Sequence, residues 1–421
     1  MSMPWYGELP ERWEAQRIKN LFALRDERNF EPLSEVRLLS LYTAIGVKPH
    51  NEIERTTGNR AITADNYKKV YTNDIVVNII LCWQGAIGLS RHDGVTSPAY
   101  DVYRAMSDNV NVDYFNYLFR MPLFSGECYK AGRGIMAMRW RTYSDQFTAI
   151  TVPLPPRDEQ DQIVRYLDWK VSQINKLIGA KRRQIALLGE QKRAGINEVV
   201  TRGGENWRKS CIKREFINLD YMRRPIEASE RSQKGEILYD YYGASGVVDK
   251  IDNYIFDQTT LLIAEDGANL VLRNLPLIYI ARGKYWVNNH AHILVPKEHN
   301  DLMFMAYLLE SIDYTVYITG AAQPKLSQDN LGRVSLSVPP LTEQQEISAY
   351  LDAQCTRIDK VIEDLNEEIV LFAEYRTRLI SDVVTGKLDV RGIAVPEFEA
   401  VEDVAEVEGE TTEGAEESID I

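Results

Sequence analysis

Apolar side chains recur in steps of three and four at Ile163, Leu167, Val171, Ile174, Ile178, Ile185, Leu188, Ile196 and Val199, with Lys181 and Lys192 in the gaps. That spacing predicts a long helix with the narrow two-in-seven stripe of a coiled-coil seam, not the wider face of a globular helix. A second stripe at Ile347, Leu351, Cys355, Ile358, Ile362, Leu365, Ile369, Phe372, Ile380 and Val383 predicts another such helix. Each follows a proline pair, Pro155-Pro156 or Pro339-Pro340, which fixes an extended lead-in; Asp158 or Thr342 is placed to cap the first turn. At 1.5 Å per residue, each helix is roughly 60 Å long.

The two stripes are copies of one another. Shifting the chain by 184 residues lays Pro155-Pro156-x-x-Glu159-Gln160-x-x-Ile163-x-x-Tyr166-Leu167-Asp168 on Pro339-Pro340-x-x-Glu343-Gln344-x-x-Ile347-x-x-Tyr350-Leu351-Asp352, and 16 of 43 positions are identical between 159–201 and 343–385. The chain is a tandem duplication. Residues 169–202 hold eight basic and two acidic side chains, while 353–386 hold four basic and seven acidic. Flanking charges select partners, so the first helix is expected to lie antiparallel on the second.

Two stretches outside the helices, about 1–150 and 203–338, mix short β-like runs with turn signals. Asp74–Leu81 and Thr260–Ala264 are examples. Each stretch then has a helical patch (114–119; 303–309) followed by a Gly-bearing basic loop, Lys130–Arg141 in one and Gly320–Lys325 in the other. The 184-residue offset persists there, pairing Asp145 with Asp329, although identity elsewhere in the two heads is slight. The reading is an α+β chain: two mixed α/β domains separated by two long helices forming an antiparallel coiled coil, with an internal pseudo-two-fold. Similar spacers with unlike heads suit the binding of two different targets at a set separation. On duplex DNA a pseudo-two-fold puts half-sites about 34 Å apart, one turn of the double helix.

Composition changes this picture little. The net charge of −13 over 421 residues speaks against a nucleic-acid partner until it is localised. Eleven acidic residues and no Lys or Arg lie after Gly392; set aside, they leave −2 for residues 1–392. The segment 393–421 is expected to be a disordered acidic tail. Cys82, Cys128, Cys211 and Cys355 are scattered without zinc spacing, so reduced thiols and no metal are expected. No apolar run of about 20 residues exists, and the first residues lack the form of a signal peptide, which points to the cytoplasm and no membrane. There is no Gly-x-x-x-x-Gly-Lys-Ser/Thr loop for ATP, and no Asn/Asp-Pro-Pro-aromatic run of an amino-methyltransferase. Glu265-Asp266 reads as a turn rather than a catalytic pair, and His290 and His292 as structural side chains bonding the Gly267 loop rather than metal ligands.

The duplicated Pro-Pro-x-x-Glu-Gln-x-x-Ile signature resembles that of the specificity subunits of type I restriction-modification systems. So do Tyr242-Gly243-Ala244-Ser245-Gly246, Glu265-Asp266-Gly267-Ala268-Asn269 and Trp286-Val287-Asn288-Asn289-His290-Ala291-His292. In the first head Trp83–Gly88 stands where the second has Glu265–Asn269, and no Asn-Asn-His-Ala-His run occurs. The resemblance implies target-recognition domains at 1–150 and 203–338 and spacer helices at 151–202 and 339–392. It further implies a non-catalytic subunit that reads a bipartite site on double-stranded DNA. Two methyltransferase subunits would dock on its helices, through Glu159, Gln160, Ile163, Tyr166 and Leu167 and through Glu343, Gln344, Ile347, Tyr350 and Leu351. Restriction-translocase subunits would join them. S-adenosylmethionine, ATP and magnesium belong to those partners, with no cofactor in this chain. Arg91, Arg133, Arg139, Arg141, Arg273, Arg282, Lys284 and Lys325 are candidates for phosphate or guanine contacts, and Gln84, Asn269 and Gln323 for adenine. Two other classes stay open at the level of sequence: a self-contained methyltransferase or nuclease, and a coiled-coil scaffold with protein-binding heads.

Overall fold

The computed structural model describes residues 4–43, 45–52, 63–134, 140–227, 237–266, 269–273, 275–320 and 324–401. They form two compact units, Met1–Arg182 with Asn366–Ile421, and Arg183–Leu365. The division falls inside both long helices.

The first unit contains β1 (Glu14–Arg17), β2 (Phe22–Arg25), β3 (Leu39–Tyr42), β4 (Gly46–Pro49), β5 (Lys68–Val70), β6 (Ile75–Asn78), β7 (Ile87–Leu89), β8 (Gly94–Thr96) and β9 (Tyr100–Ala105). Helices α1 (Val112–Phe119), α2 (Pro122–Ala131) and α3 (Ser144–Ala149) follow, then β10 (Thr151–Leu154) and the start of α4 (Arg157–Thr201). Its main sheet is antiparallel with order β2-β9-β6-β7; β1–β10, β3–β4 and β5–β8 are two-stranded. Every residue of β6 is buried, as a continuous apolar run requires. The strand stops before the expected Leu81 because the Asn78 Oδ1 accepts from the amides of Ile80 (2.9 Å) and Leu81 (3.3 Å) and turns the chain. α1 lays Tyr114, Phe115, Leu118 and Phe119 into a core shared with Phe22, Phe124 and Phe147.

The second unit contains β11 (Arg208–Cys211), α5 (Ile212–Glu215), β12 (Phe216–Asn218), β13 (Tyr239–Gly243), β14 (Gly246–Ile251), β15 (Phe256–Asp257) and β16 (Thr260–Ala264). After these come α6 (Asn269–Leu272), β17 (Ile278–Ala281), β18 (Lys284–Val287), β19 (Ala291–Pro296), α7 (Leu302–Ser311), α8 (Gln328–Arg333), β20 (Ser335–Val338) and the start of α9 (Leu341–Val384). Its antiparallel sheet has order β12-β19-β16-β17, the chain order of β2-β9-β6-β7 repeated. The β11–β20 pair repeats β1–β10. A further sheet, β14-β13-β18-β15, has β13 and β18 parallel and belongs to this unit.

Within each unit the two long helices run antiparallel. In the first, Ile163, Leu167, Ile174 and Ile178 of α4 share a core with Leu379, Val383 and Val384 at the end of α9. In the second, Ile196 and Val200 at the end of α4 share a core with Ile347, Leu351 and Cys355. The two lysines that interrupt the first stripe make polar contacts across the seam: Lys181 pairs with Glu368, and the Lys192 ammonium donates to both carboxylate oxygens of Asp359 at 2.7 Å. Such partly exposed pairs contribute at most about 1 kcal/mol each, so apolar burial holds the seam and the charges choose the partner. α9 ends at Gly386, whose φ of +76° favours glycine and where a Cβ would lie 2.7 Å from Pro10.

Residues 393–401 correct the expected tail. The Gln162 Nε2 donates to the carbonyls of Val390 (3.0 Å) and Ile393 (2.7 Å), the Ser172 hydroxyl to Glu399 O (2.9 Å), and the Asn175 amide to Val401 O (3.0 Å). This strap carries only two acids, Glu397 and Glu399, and its Val395 packs against the core of the first unit. The acid-rich remainder, 402–421, lies outside the described residues. Among the described residues no helix is long and apolar enough to cross a membrane.

Candidate nucleic-acid interface

The signature at the head of each long helix is a clamp between helix and head. In the first unit the Trp13 indole donates to Glu159, and the Gln160 Oε1 accepts from the amide of Asn111 (2.8 Å), the residue that caps α1. The Gln160 amide nitrogen donates to Pro155 O (2.8 Å) and Asn109 O (3.1 Å), and the Tyr117 hydroxyl donates to Asp168 (2.8 Å). The second unit repeats the arrangement. Trp207 donates to Glu343 (3.1 Å), Gln344 accepts from the amide of the α7 cap Asp301 (2.8 Å) and donates to Pro339 O (2.9 Å), and Tyr307 donates to Asp352 (2.6 Å). Glu159, Gln160, Ile163, Tyr166, Leu167, Gln344, Ile347 and Leu351 are buried and Glu343 is half-buried; only Tyr350 of the expected docking set is exposed. Apart from Tyr350, these side chains make their contacts inside their own units.

The basic candidates separate by what already holds them. Arg273 donates to the carbonyls of Ile312 (3.0 Å) and Glu310, closing the C-terminal end of α7. Asn269 uses its whole amide on the loop beyond α6, donating to Leu275 O and Pro276 O and accepting from Leu275 N. Arg91 pairs with Asp113 in the first turn of α1. Arg282 and Lys284 are exposed, the latter 4.6 Å from the Tyr254 ring centre. Gln84 is exposed on the turn between β6 and β7, the connection that corresponds to the β16–β17 connection holding Glu265–Asn269. Arg139 and Gln323 lie outside the described residues.

Arg133, Arg141 and Lys325 are brought to matching places. Arg133 and Arg141 exchange backbone hydrogen bonds of 2.9 and 3.0 Å, as Thr319 and Lys325 do at 2.9 Å, so each unit closes a loop with one such bridge. Arg141 and Lys325 are one repeat offset apart. Beside the first loop an aromatic ladder stands partly exposed: Trp83 lies 5.6 Å from Tyr129, which stacks on Trp140 at 4.9 Å, while the Arg133 guanidinium lies 5.2 Å from the Tyr143 ring centre. Exposed cations over aromatic faces are a surface suited to phosphates and bases.

Beside the second loop the chemistry is ionic. Lys325 pairs with Glu265 (3.0 Å), whose other oxygen accepts from Arg223; His292, fully buried, faces Asp220 (2.5 Å) and Leu326 O (2.7 Å). Burial raises the Asp220 and Glu265 carboxyls, but hydrogen bonds from His292 to the one and from Arg223 and Lys325 to the other outweigh it and hold both below the ordinary carboxylate range. His290 is exposed and bonds Asp266 (2.9 Å), so the two histidines do not share a face. Among the described residues no group of three or more His, Cys, Asp or Glu could hold a metal ion.

Trp13, Trp207, Asn111 and Asp301 lie outside the sequence-predicted site residues, and Tyr117 and Tyr307 lie in the helical patches without a role read for them. A signal for the first pair exists: Trp-x-x-x-x-Ile-Lys occurs at 13–19 and again at 207–213, offset by 194 rather than 184 residues.

A family model for the type I restriction modification DNA specificity domain matches residues 204–370. A putative type I restriction enzyme specificity subunit, S.HindORF215P, of Haemophilus influenzae is 34% identical over 131 residues, 31% of this chain and 33% of that protein. The type I restriction enzyme MjaVIII specificity subunit of Methanocaldococcus jannaschii is 24% identical over 427 residues, 91% of this chain and 95% of that protein. This chain thus spans a third of the length of the former and nearly all of the latter. In fold it is similar to a solved chain from the complex assembly and conformational transition of the type I R-M system, with a TM-score of 0.67 at 14% identity over 90% of this chain and 100% of that one. Residues 204–370 are thus similar to the type I restriction modification DNA specificity domain, and the chain along most of its length to the MjaVIII specificity subunit.

Proposed function

We propose that the chain reads a bipartite site on duplex DNA, one half through the loop closed by Arg133 and Arg141 and the other through the loop closed by Thr319 and Lys325. One observation carries this reading: a single scaffold, with the same strand order and the same clamp, presents two unlike loops at matching positions. Chemically unlike loops suit unlike base sequences, while a shared scaffold suits the common phosphate backbone. The long helices set the gap between the half-sites. With the signature side chains buried, partner methyltransferase subunits dock on exposed apolar side chains of the helices: Leu177, Val370, Leu371 and Tyr375 in the first unit, Leu187, Tyr350 and Val361 in the second. Methyl transfer from S-adenosylmethionine and ATP- and magnesium-dependent translocation and cleavage are the work of those partners, in the cytoplasm, and this chain supplies no catalytic group.

The reading is tested by binding to duplexes carrying the mapped site, with and without the methyltransferase subunits, across a salt series. Sequence-specific binding that tightens with the partners and falls steeply with salt supports it. Binding that ignores sequence with the partners present, or methylation and cleavage by the isolated chain, overturns it.

A further inference from the structure

The residue after each loop is pinned to the end of its central strand by one backbone bond. Thr142 N donates to Ile79 O at 2.9 Å, and Leu326 N donates to Glu265 O at 2.7 Å. What completes the attachment differs. In the first unit the Thr142 hydroxyl donates to Cys128 O at 2.9 Å, tying the loop to α2. Leu326 has no polar side chain with which to do the same. Its carbonyl is bonded instead by the Nε2 of His292 at 2.7 Å, from the interior of the sheet.

His292 is held in turn. Its Nδ1 faces the Asp220 Oδ2 at 2.5 Å, and the Asp220 Oδ1 accepts from the amide of Ile293 at 2.8 Å. Arg223 donates from its Nε to Asp220 O at 3.1 Å and from its Nη1 to Glu265, and the remaining Glu265 oxygen meets the Lys325 ammonium at 3.0 Å. Both ends of this chain of bonds therefore grip the same loop, one at the backbone of Leu326 and the other at the side chain of Lys325.

We propose that Asp220, His292, Arg223 and Glu265 form a positioning network that sets the specificity of the second half-site, with His292 fixing the loop backbone from which Lys325 projects. The proposal rests on the reading that this loop contacts DNA. The network acts through Lys325 and not by touching DNA, and it leaves the first half-site alone because Thr142 and Cys128 do its work there.

Two substitutions separate positioning from simple stability. His292→Gln keeps an amide donor near the place of Nε2, and His292→Asn keeps one only near Nδ1. In the full chain assembled with its methyltransferase subunits, discrimination is measured against duplexes altered at each base of the site, alongside hydrogen exchange at the Leu326 amide and the melting temperature. We expect His292→Asn to speed exchange at Leu326 and to relax the second half-site roughly tenfold with the first unchanged, and His292→Gln to restore both readouts. Unchanged exchange in His292→Asn overturns the network, as does equal relaxation of both half-sites in step with a fall in melting temperature. Lys325→Ala is the companion variant. If it leaves both half-sites intact while exchange in His292→Asn still rises, the DNA reading of the loop fails and the network stands as a structural lock.

Discussion

Glu215 lies at the end of α5 with its side chain 3% exposed and four groups donating to it: Arg208 (2.6 Å), His299 (3.0 Å), Asn300 (2.9 Å) and the Ser210 hydroxyl. Burial pushes this carboxyl up, but the four donors outweigh it and bring it from 4.5 down to about 2. A folded value below the unfolded one means that the contribution is complete above 4.5 and is lost as pH falls from there toward about 2. The shift corresponds to ~3 kcal/mol as an upper bound. Thermal melts at pH 6 and pH 3 should show the second unit losing stability, and Glu215→Gln should be less stable at pH 6 but much flatter with pH. An equally steep acid response in Glu215→Gln would count against this assignment. Gln160 and Gln344 offer a sharper comparison, since each is almost fully buried and hydrogen-bonded on both amide atoms. Leucine matches the size but strands the partners, at about 1–3 kcal/mol for each unsatisfied group. Gln160→Leu should lower the unfolding transition of the first unit alone, and Gln344→Leu that of the second; movement of both transitions in either variant would refute the local clamp.

At the scale of elements, the long helices were legible and the heads were not. A period of 3.5 over forty residues, repeated in the same chain, leaves little choice of structure, and the charge imbalance named the partner of each helix. Strand order in the heads is carried by backbone hydrogen bonds, which accept any apolar side chain, so β2-β9-β6-β7 and β12-β19-β16-β17 agree while the residues do not. The signature is legible as a repeat, but identity between repeats marks a shared contact without saying whether it faces inward. Trp13 and Trp207 show the inward answer. Lys181→Glu should cost up to about 1 kcal/mol, with Glu368→Lys restoring part of it in the double variant, as the ion pair between α4 and α9 requires. Additive losses in a double-mutant cycle would deny the coupling. Ending the chain after Gly392 removes the strap from Ser172 and Asn175 and should destabilise the first unit by roughly 1 kcal/mol relative to a chain ending after Val401. Equal stability of the two truncations would show that the strap contributes nothing.

For the whole molecule, duplication is the organising fact. Each long helix begins in the core of one unit and ends in the core of the other, because the division between units falls within both helices. A change in one head can therefore be read against an unchanged head in the same chain, which is a built-in control for any loss of specificity. Arg141 and Lys325, one repeat apart, are the pair on which to use it. Base-resolution mapping of DNA methylation in cells carrying this chain with the proposed methyltransferase partners, repeated after Arg141→Ala and after Lys325→Ala, tests the account most directly. Two specified half-sites around an unspecified gap are expected, with Arg141→Ala relaxing one half, Lys325→Ala the other, and the gap unaltered. A single uninterrupted motif, or relaxation of the same half by both substitutions, would contradict it.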